Sequence, residues 1–320
     1  MSKSSISYVL RSCKSDFTSR NSFKWPALGK VECTDFDTAE ECGPGLYGFL
    51  NGCGEGSLAS WEPDAQWLLV AVPSDTVIDL GDKVKFPRGE VISSSQNRSA
   101  VIAELERLNP EVKHMPVIGA SRESMLNGAH VSTGDRGTST SGDGGTSISG
   151  HCGNSTSGYK GASTSGCGGT STSGYEGTSA SGIHGTSISG FNGTSVSGFN
   201  GTSKSGDGGT STSGSDGISI SGDIGKSTSG YGGTSISGAY GISISGTDGR
   251  SIVGIHGKAK SGLGGNLILS YQDNGNIKIA SFFVDDEIVK ADTFYECVDG
   301  KLVEVLNCTR WCCQSVQSVL

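Results

Sequence analysis

Two kinds of hydrophobic pattern divide the chain. Up to about residue 115, apolar residues alternate or cluster as they do in globular domains. Three of these runs predict strands: Ser7–Arg11, Gln66–Val72 and Thr76–Leu80. The segment Ser99–Leu108 has its apolar residues at helical spacing, with Ser99 as a candidate N-cap. Residues 1–115 therefore predict an α+β head domain that is large enough to hold one core.

From Gly137 to Gly264 the pattern changes to an eight-residue unit, G-T-S-x-S-G-x-x, which repeats sixteen times without a gap. Positions 1 and 6 are Gly in every copy. Positions 3 and 5 are Ser in fifteen copies, with Ala259 and Val253 as the exceptions. A short fixed period means that each unit buries itself against its neighbours, which predicts a β-solenoid. Two octads make a sixteen-residue coil, so residues 137–264 predict about eight coils with a length of ~38 Å.

Alternation within each octad predicts which side chains face inward. Successive side chains of a strand point to opposite sides, so positions 2 and 4 share one side and positions 3 and 5 the other. Lys204, Lys226 and Lys260 occupy positions 2 or 4, and a narrow interior cannot bury such charges. We therefore expect the Ser residues to face inward and to form ladders whose hydroxyls bond along the axis. The invariant glycines are expected where the chain turns sharply.

The segments on both sides of the repeat predict its ends. Residues 116–136 form a transition, in which Ala129–Arg136 is a degenerate octad and the expected first coil. Residues 265–305 predict a β-rich cap, with a hairpin at Asp299-Gly300. The predicted cap strands are Asn266–Tyr271, Asn276–Val284, Thr293–Val298 and Lys301–Val305. The apolar residues expected to cover the open coil are Leu267, Ile268, Phe282, Phe283 and Phe294. Residues 306–320 are a Cys-rich tail without a clear pattern. The predicted fold class is thus mainly β.

Charge and composition limit the classes of partner that the chain is expected to bind. The chain carries a formal charge of −8, but the octads hold six acidic and six basic residues and are neutral, which argues against binding to nucleic acid. No apolar run approaches the ~18 residues of a membrane helix, and the start of the chain has no secretory signal. These features predict a cytoplasmic or virion-associated protein with reduced cysteines and no membrane partner.

No cofactor or metal is expected from the remaining chemistry. His151 and Cys152 are adjacent, but a metal site needs more convergent ligands. Cys308, Cys312 and Cys313 form a cluster that is either a metal site or part of an unpatterned tail, and the second interpretation is preferred.

Two octad segments carry a resemblance to a known family. G-Y-E-G-T-S-A-S at 174–181 and G-F-N-G-T-S-V-S at 190–197 resemble the octads of bacterial ice-nucleation proteins, which form sixteen-residue β-solenoid coils. The head, with Trp25-Pro26, Cys42–Gly48 and Val84–Gly89, resembles uncharacterised head domains of glycine-rich octad-repeat proteins of bacteria and phages. Tyr295–Val305 resembles the ending of the same proteins. These resemblances imply an architecture and no established activity.

Two sets of outward residues are candidate binding surfaces. Ice binding needs a regular array of Thr-x-Thr, and complete pairs occur only at Thr138/Thr140, Thr170/Thr172 and Thr210/Thr212. The alternative is that outward Thr and Ile simply favour strands. Position 7 carries aromatic residues that are expected on one edge, at Tyr159, Tyr175, Phe191, Phe199 and Tyr231. They either bind a protein or glycan partner or pack over the corners of the coils.

The head allows a third interpretation. Arg11 on a first strand, with Glu104 and Glu106, resembles the arginine and paired glutamates of ADP-ribosyltransferases. Both glutamates lie in a predicted helix, however, where a solvated face explains them more simply. The preferred interpretation is a non-catalytic structural or interaction protein. Its solenoid would act as a rigid spacer or binding surface, in a phage or bacterial assembly, with a homo-oligomer as a further option. Ice binding and an enzymatic head are the alternatives.

Overall fold

The computed structural model describes residues 5–19 and 22–305, and these form two compact units. One unit contains the residues up to Glu123 together with Val131–Ser139 and Ser149–Gly153. The other contains Ser124–His130, Thr140–Ile148 and the chain from Asn154 onward. The fold is mainly β, with a head sheet, a β-solenoid and a small C-terminal group of strands, as the sequence predicts.

The head is built on one seven-stranded sheet. Its strands and its α-helix are β1 (Ile6–Cys13), β2 (Gly29–Glu32), β3 (Leu46–Leu50), β4 (Gln66–Pro73), β5 (Ile78–Asp79), β6 (Val84–Phe86), β7 (Arg88–Ser95) and α1 (Arg98–Leu108). Single turns of 3₁₀ helix lie at Gly56–Leu58 and Ser74–Thr76, and a longer one lies at Pro110–His114. The strand order is β2-β7-β4-β1-β3-β6-β5.

Strand β1 lies in the middle of the sheet, between β4 and β3, and both of its faces are buried. It pairs antiparallel with β4 over eight residues. On one face, Val9 and Cys13 pack with Trp25 and the side chains around it. On the other face, Leu10 packs with the residues of α1. The head therefore has two apolar layers, one on each side of a single sheet.

The head differs from the sequence prediction in two local features. Helix α1 begins at Arg98, and its N-cap is Asn97, whose side chain accepts a hydrogen bond from the Ala100 N–H at 3.4 Å. The predicted N-cap, Ser99, is inside the helix; Asn caps as well as Ser, and Asn97 has the extended backbone that the cap requires. The predicted strand Thr76–Leu80 shortens to β5 because residues before it form a 3₁₀ turn.

The remaining strands are short and regular. They are β8 (Ser121–Ser124), β9 (His130–Ser132), β10 (Thr138–Ser141), β11 (Thr146–Ile148), β12 (Asn154–Ser157), β13 (Ala162–Ser165), β14 (Thr170–Ser173), β15 (Thr178–Ser181), β16 (Thr186–Ile188), β17 (Thr194–Val196), β18 (Thr202–Lys204), β19 (Thr210–Thr212), β20 (Ile218–Ile220), β21 (Lys226–Thr228), β22 (Thr234–Ser237), β23 (Ile242–Ile244), β24 (Arg250–Val253) and β25 (Lys258–Lys260). The C-terminal strands are β26 (Asn266–Asp273), β27 (Asn276–Phe283), β28 (Tyr295–Val298) and β29 (Lys301–Glu304).

Consecutive octads alternate between two parallel sheets. In the second unit one sheet runs β12-β14-β16-β18-β20-β22-β24-β26-β27, and the other runs β11-β13-β15-β17-β19-β21-β23-β25-β28-β29. Neighbouring strands of the solenoid are in register at a spacing of sixteen residues, so that Ser171 pairs with Ser187. With two strands per turn, β8 to β25 make about nine turns in the described chain. The degenerate segment before Gly137 supplies the turn beyond the expected eight.

The serines at positions 3 and 5 face inward, as the sequence predicts. Ser195, at position 3 in β17, is 0% exposed. Its Oγ donates to the Lys204 carbonyl oxygen at 2.6 Å, and a second hydrogen bond of 2.9 Å joins it to Ser189 Oγ. Both partners belong to octads of the opposite sheet. The predicted serine ladders are present, because equivalent serines of successive turns are paired neighbours. The expectation that their hydroxyls bond along the axis is wrong for most turns: the backbone bonds run along the axis, and the serine hydroxyls bond from one sheet to the other.

Lack of space explains the invariant glycines better than turning does. At position 1, a Cβ on Gly193 would lie 2.6 Å from the Ser189 Cβ. At position 6, a Cβ on Gly190 would lie 2.9 Å from backbone atoms of Gly174 and Tyr175 in the preceding turn. Positive φ falls instead at position 8, with values of 52–75° in all sixteen octads. The sharp turn is thus made by a position where most octads carry a residue other than Gly, and the invariant glycines allow the turns to stack.

Position 8 predicts a stabilising substitution. Ile224 occupies it with φ 58°, and a β-branched residue is strained there, whereas Asn tolerates this conformation. Ile224 is also 73% exposed, so little packing is lost on replacement. We expect Ile224→Asn to raise the free energy of unfolding by about 1 kcal/mol, measured by denaturant or thermal melts. Ile183→Asn, at an exposed position 7 without positive φ, is the matched control and should not stabilise.

The C-terminal strands close the solenoid with an apolar core. Strand β26 continues one sheet in parallel, and β28 pairs antiparallel with the last repeat strand at Ala259 and Tyr295. The buried residues of this core are Val253, Ala259, Leu267, Leu269, Val284, Val289, Tyr295 and Leu302. The two octad positions that depart from Ser are therefore the ones that contact the cap. The hairpin at Asp299-Gly300 is present, with φ of 50° and 79°.

Three residues expected to cover the open coil lie outside its core. One of them is Phe294, whose ring centre lies 5.5 Å from the ammonium of the outward Lys260. Ile268 lies between the buried Leu267 and Leu269 and faces the other side of β26. Phe283 is 58% exposed, whereas its neighbour Phe282 packs on the core. Alternation along each strand gives only half of its residues to the cap.

Removing the C-terminal strands should expose the end of the solenoid to solvent. A chain that ends after Gly264 exposes the backbone groups of two sheet ends and the apolar Val253, which invites stacking of one chain on another. We expect fibres or insoluble protein, detected by light scattering and electron microscopy. Deletion of Asn307–Leu320, which lies outside the described residues, should change little. A truncated chain that stays monomeric in solution would contradict the capping role.

Candidate functional site

The six candidate threonines are outward, but only one of them is exposed. Thr138 is exposed, whereas the other five are half-buried: Thr140, Thr170, Thr172, Thr210 and Thr212. Neighbouring turns 16 residues apart cover part of each side chain, because strands of one sheet lie ~4.8 Å apart. These five outward residues therefore offer less of their surface to a ligand than Thr138 does.

Thr172 shows how neighbouring strands interrupt the Thr-x-Thr pairs in the structure. In β14 it pairs with Thr156 of β12 on one side, but with Ile188 of β16 on the other. Its carbonyl oxygen accepts a hydrogen bond from Ser163 Oγ at 2.5 Å, so its backbone also helps to join the two sheets. Thr170, the second member of this pair, has Asn154 as its neighbour on β12. The Thr170/Thr172 pair is therefore bordered on each side by a strand that lacks Thr-x-Thr.

The pair Thr210/Thr212 lies on the other sheet from Thr170/Thr172. It belongs to β19, whereas Thr170 and Thr172 belong to β14. Beside β19, the equivalent positions hold Val196 on β17 and Lys226 on β21. The structure therefore does not bring the complete pairs of β14 and β19 into one array, and their role in binding stays a prediction.

Three of the candidate aromatic residues form a stack. Tyr159, Tyr175 and Phe191 follow β12, β14 and β16, so they lie on one edge in successive turns. The Tyr159 and Tyr175 rings are 5.5 Å apart with an interplanar angle of 18°, and the Tyr175 and Phe191 rings are 5.3 Å apart at 12°. Each side chain is 44–45% exposed. Because the ring faces cover one another, the stack presents mainly ring edges to solvent.

The other two aromatic candidates lie on the opposite edge. Phe199 follows β17 and Tyr231 follows β21, both in the second sheet. Phe199 meets His184 edge-to-face at 6.3 Å. A hydrogen bond to Asp248 raises the pKa of the Tyr231 hydroxyl. The expectation of one aromatic edge is therefore wrong, because octads alternate between the sheets and so place position 7 on each edge in turn.

The acidic and basic residues singled out in the head do not come together. Arg11 lies on β1 and donates to the Tyr47 carbonyl, with its guanidinium 4.7 Å from the Trp25 ring centre. Trp25 packs on the face of the sheet opposite α1, which carries Glu104 and Glu106. The arginine and paired glutamates that resemble an ADP-ribosyltransferase are thus on opposite sides of the sheet.

Both glutamates of α1 have other partners. Glu104 is in an ion pair with Arg107 at 2.7 Å, and this hydrogen-bonded contact lowers the pKa of Glu104. Glu106 accepts hydrogen bonds from Arg122 at 2.9 and 3.1 Å. The Arg122 guanidinium also donates to the Val112 and Ser132 carbonyls, both at 2.7 Å. Glu106 therefore stabilises the region around Arg122.

Arg11 lines a cleft in the head with a volume of about 910 Å³. Lys83, Tyr47 and the thiols of Cys13 and Cys33 also contribute to its wall. Burial raises the pKa of Cys13 to about 11, and burial is also the main cause of a raised pKa at Cys33. Both are thus protonated thiols near neutral pH and weak nucleophiles.

Groups suited to a metal ion are not found in the described part of the chain. Over residues 5–19 and 22–305, no three His, Cys, Asp or Glu side chains are grouped to hold one. Cys308, Cys312 and Cys313 lie outside the described residues. No helix in the described chain has the length and apolar character needed to cross a membrane.

Comparison with known proteins finds bacterial ice nucleation proteins. The chain is 36% identical over 101 residues to the ice nucleation protein of Pseudomonas fluorescens, 32% over 95 residues to InaU of Pantoea ananas, and 31% over 115 residues to that of Xanthomonas campestris pv. translucens. These matches cover 31%, 29% and 35% of this chain but only 8%, 9% and 7% of those proteins.

No protein-family model matches the chain, and no solved structure matches it. Together with the β-solenoid, the matches confirm that the repeat region resembles that of ice nucleation proteins. The chain is accordingly a structural repeat protein.

One set of exposed apolar residues lies outside the candidate surfaces predicted from the sequence. Ile277, Ile279 and Phe283 of β27 are 67%, 70% and 58% exposed. Their period of two in a predicted strand shows that they share one face. This alternation is the sequence signal for the exposed face, although Phe283 is expected from the sequence to cover the open coil.

Proposed function

We propose that this chain is a non-catalytic protein whose solenoid acts as a rigid spacer and presents its outward columns to a protein partner. The observation that carries the proposal is how the inside of each turn is used. Buried serines and backbone bonds fill it from β12 to β23, whereas the outward positions hold polar, charged and apolar residues. A rod of this kind has a surface that varies while its frame stays constant.

The aromatic stack favours a protein over a glycan as the partner. A sugar ring packs on the face of an aromatic ring, and the faces of Tyr175 are covered by Tyr159 and Phe191. Ring edges and tyrosine hydroxyls remain, and these suit the mixed contacts of a protein interface. A bacterial or phage assembly is the setting that the resemblance of the head implies.

Hydrogen exchange tests whether the solenoid is one rigid body. We expect the backbone amides of β12 to β25 to be protected as a single block. Ser195→Leu should overfill the interior, cost roughly 1–3 kcal/mol and lower protection across the block. Thr194→Lys, the neighbouring outward residue, is the control and should leave protection unchanged. Turns that exchange independently in the unsubstituted protein would refute the spacer role.

Ice binding is the second candidate, favoured by the names of the relatives and by the Thr-rich outward positions. Against it, the outward columns of Thr are interrupted by Ile, Val, Lys and Asn. A triple variant that replaces three of the interrupting residues by Thr tests whether the interruption prevents ice binding. Asn154→Thr, Ile188→Thr and Lys204→Thr would give Thr-x-Thr on four adjacent strands, from β12 to β18.

We expect little thermal hysteresis and no strong ice nucleation from the unsubstituted protein, and a measurable gain from the triple variant. Nanolitre osmometry and droplet freezing give the readouts, with melting temperature as the check on folding. Strong ice shaping by the unsubstituted protein at micromolar concentration would make ice binding the function. Absence of a gain in a folded triple variant would show that factors other than the interruption limit ice binding.

A further inference from the structure

Strand β27 is an exposed edge at the C-terminal end of one solenoid sheet. It pairs with β26 on one side over eight residues, and no strand among the described residues pairs with its other side. Six of its eight residues are exposed. Ile277, Ile279 and Phe283 lie on one face of it, each more than half exposed. A long, apolar edge of this kind is a template for pairing with another strand.

The other sheet ends differently. Its last strand, β29, has four residues; it begins with the exposed Lys301 and ends at Glu304, with the buried Leu302 and Val303 between them. A short strand with charged ends is a common protection against edge pairing. The contrast shows that the fold can protect an edge, and that β27 does not carry this protection.

Strand β27 extends an apolar column of the solenoid face. Ile220, Ile236, Ile252 and Ile268 are paired neighbours on the outward side of successive strands. Ile268 pairs with Ser281 of β27, and Phe283 and Ile279 lie on either side of Ser281 on the same face. A strand added to β27 would therefore continue a sheet whose outer face is already apolar.

We propose that β27 pairs antiparallel with β27 of a second copy of this chain, which joins two solenoid sheets at their C-terminal ends. The strand is self-complementary in this arrangement. With Ala280 on the two-fold axis, Ile277 faces Phe283 of the second copy, and this contact occurs twice. Residues opposite each other in an antiparallel pair share a face, so all the exposed apolar side chains fall on one side.

The single charge on β27 does not oppose this pairing. Lys278 lies on the opposite face from Ile277 and Ile279, and its ammonium contacts the Asp273 carboxylate at 2.5 Å within the same hairpin. This ion pair also raises the pKa of Lys278. A lysine on an edge strand opposes pairing when its charge has no partner. The charge of Lys278 is paired with Asp273 inside each copy.

The symmetry of the contact predicts how many copies of the chain associate. An isologous pair uses the same edge on both copies, so association stops at a dimer and does not extend into a fibre. One pair of eight-residue strands is a small interface, and small interfaces dissociate on dilution. The dimer is therefore expected to depend on concentration.

Analytical ultracentrifugation of the full chain over a nanomolar to high-micromolar series tests the proposal. We expect a species of twice the 32.7 kDa chain mass at high concentration. Ile279→Lys would place two lysines next to the two-fold axis and should weaken dimerisation at least tenfold. Val298→Lys, at a 48% exposed apolar residue beside β29, adds the same charge and should leave the dimer intact. Circular dichroism melts establish that both variants are folded.

The proposal would be overturned by a chain that is monomeric at every concentration, by a dimer that is unaffected by Ile279→Lys, or by association that continues beyond two copies. Loss of the dimer in both lysine variants would also overturn it, because that result would point to net charge and not to the edge of β27.

Discussion

The narrow interior of the solenoid is the constraint on which the rest of the structure depends. Opposite sheets are close enough for the Ser203 hydroxyl to reach the Thr212 carbonyl across the core at 2.5 Å. A Cβ added at Gly201 would lie 2.7 Å from the Ser197 Cβ. Serine fits such a space, and glycine is needed where even a methyl group would collide. The octad is therefore set by the size of its residues before any functional demand acts on it.

Hydrogen bonding is the second reason for serine, and a weaker one than size. Many hydroxyls bridge the sheets, but some buried ones have no hydrogen-bond partner among the described residues: Ser141, Ser173, Ser179, Ser213, Ser229 and Ser237. A buried hydroxyl without a hydrogen-bond partner is unfavourable. Serine is nevertheless kept at these positions, and no regular turn has a larger residue there. Stability must then come from close packing and from the backbone bonds that run between turns.

The period and the inside-out assignment could be predicted from the sequence because both are local. Sixteen octads give the register directly, and Lys204 next to Ser203 and Ser205 shows which side is outside. The direction of the serine bonds could not be predicted, because it depends on how far apart the two sheets lie. The same holds for the aromatic residues. Tyr175 and Phe199 occupy the same octad position, yet the path of the chain puts them on opposite edges.

The head shows a different limit of sequence reasoning. Val9, Leu10 and Arg11 are consecutive, so alternation places Leu10 on the other face of β1 from its two neighbours. Helix α1 packs on the face of the sheet that carries Leu10. This contact is between residues far apart in the sequence, so no local pattern predicts it. Glu104 and Glu106 therefore could not be placed relative to Arg11 until the packing of α1 was known.

The cap follows from the same interior constraint. Serine gives way to Val253 and Ala259 only where the next layer is apolar, since a polar interior cannot end against leucine without losing its partners. Closing the interior takes Leu267 and Leu269 from β26 but leaves Ile268 outside, because a strand cannot turn consecutive side chains the same way. A strand that seals the core with one face therefore turns its alternate residues away from that core. The exposed residue of β29 is the charged Lys301, whereas the outer face of β27 carries the exposed Ile277, Ile279 and Phe283 together with Ser281. Closure of the interior needs only one face of each strand, so the apolar outer face of β27 needs a separate explanation, which pairing with a second copy supplies.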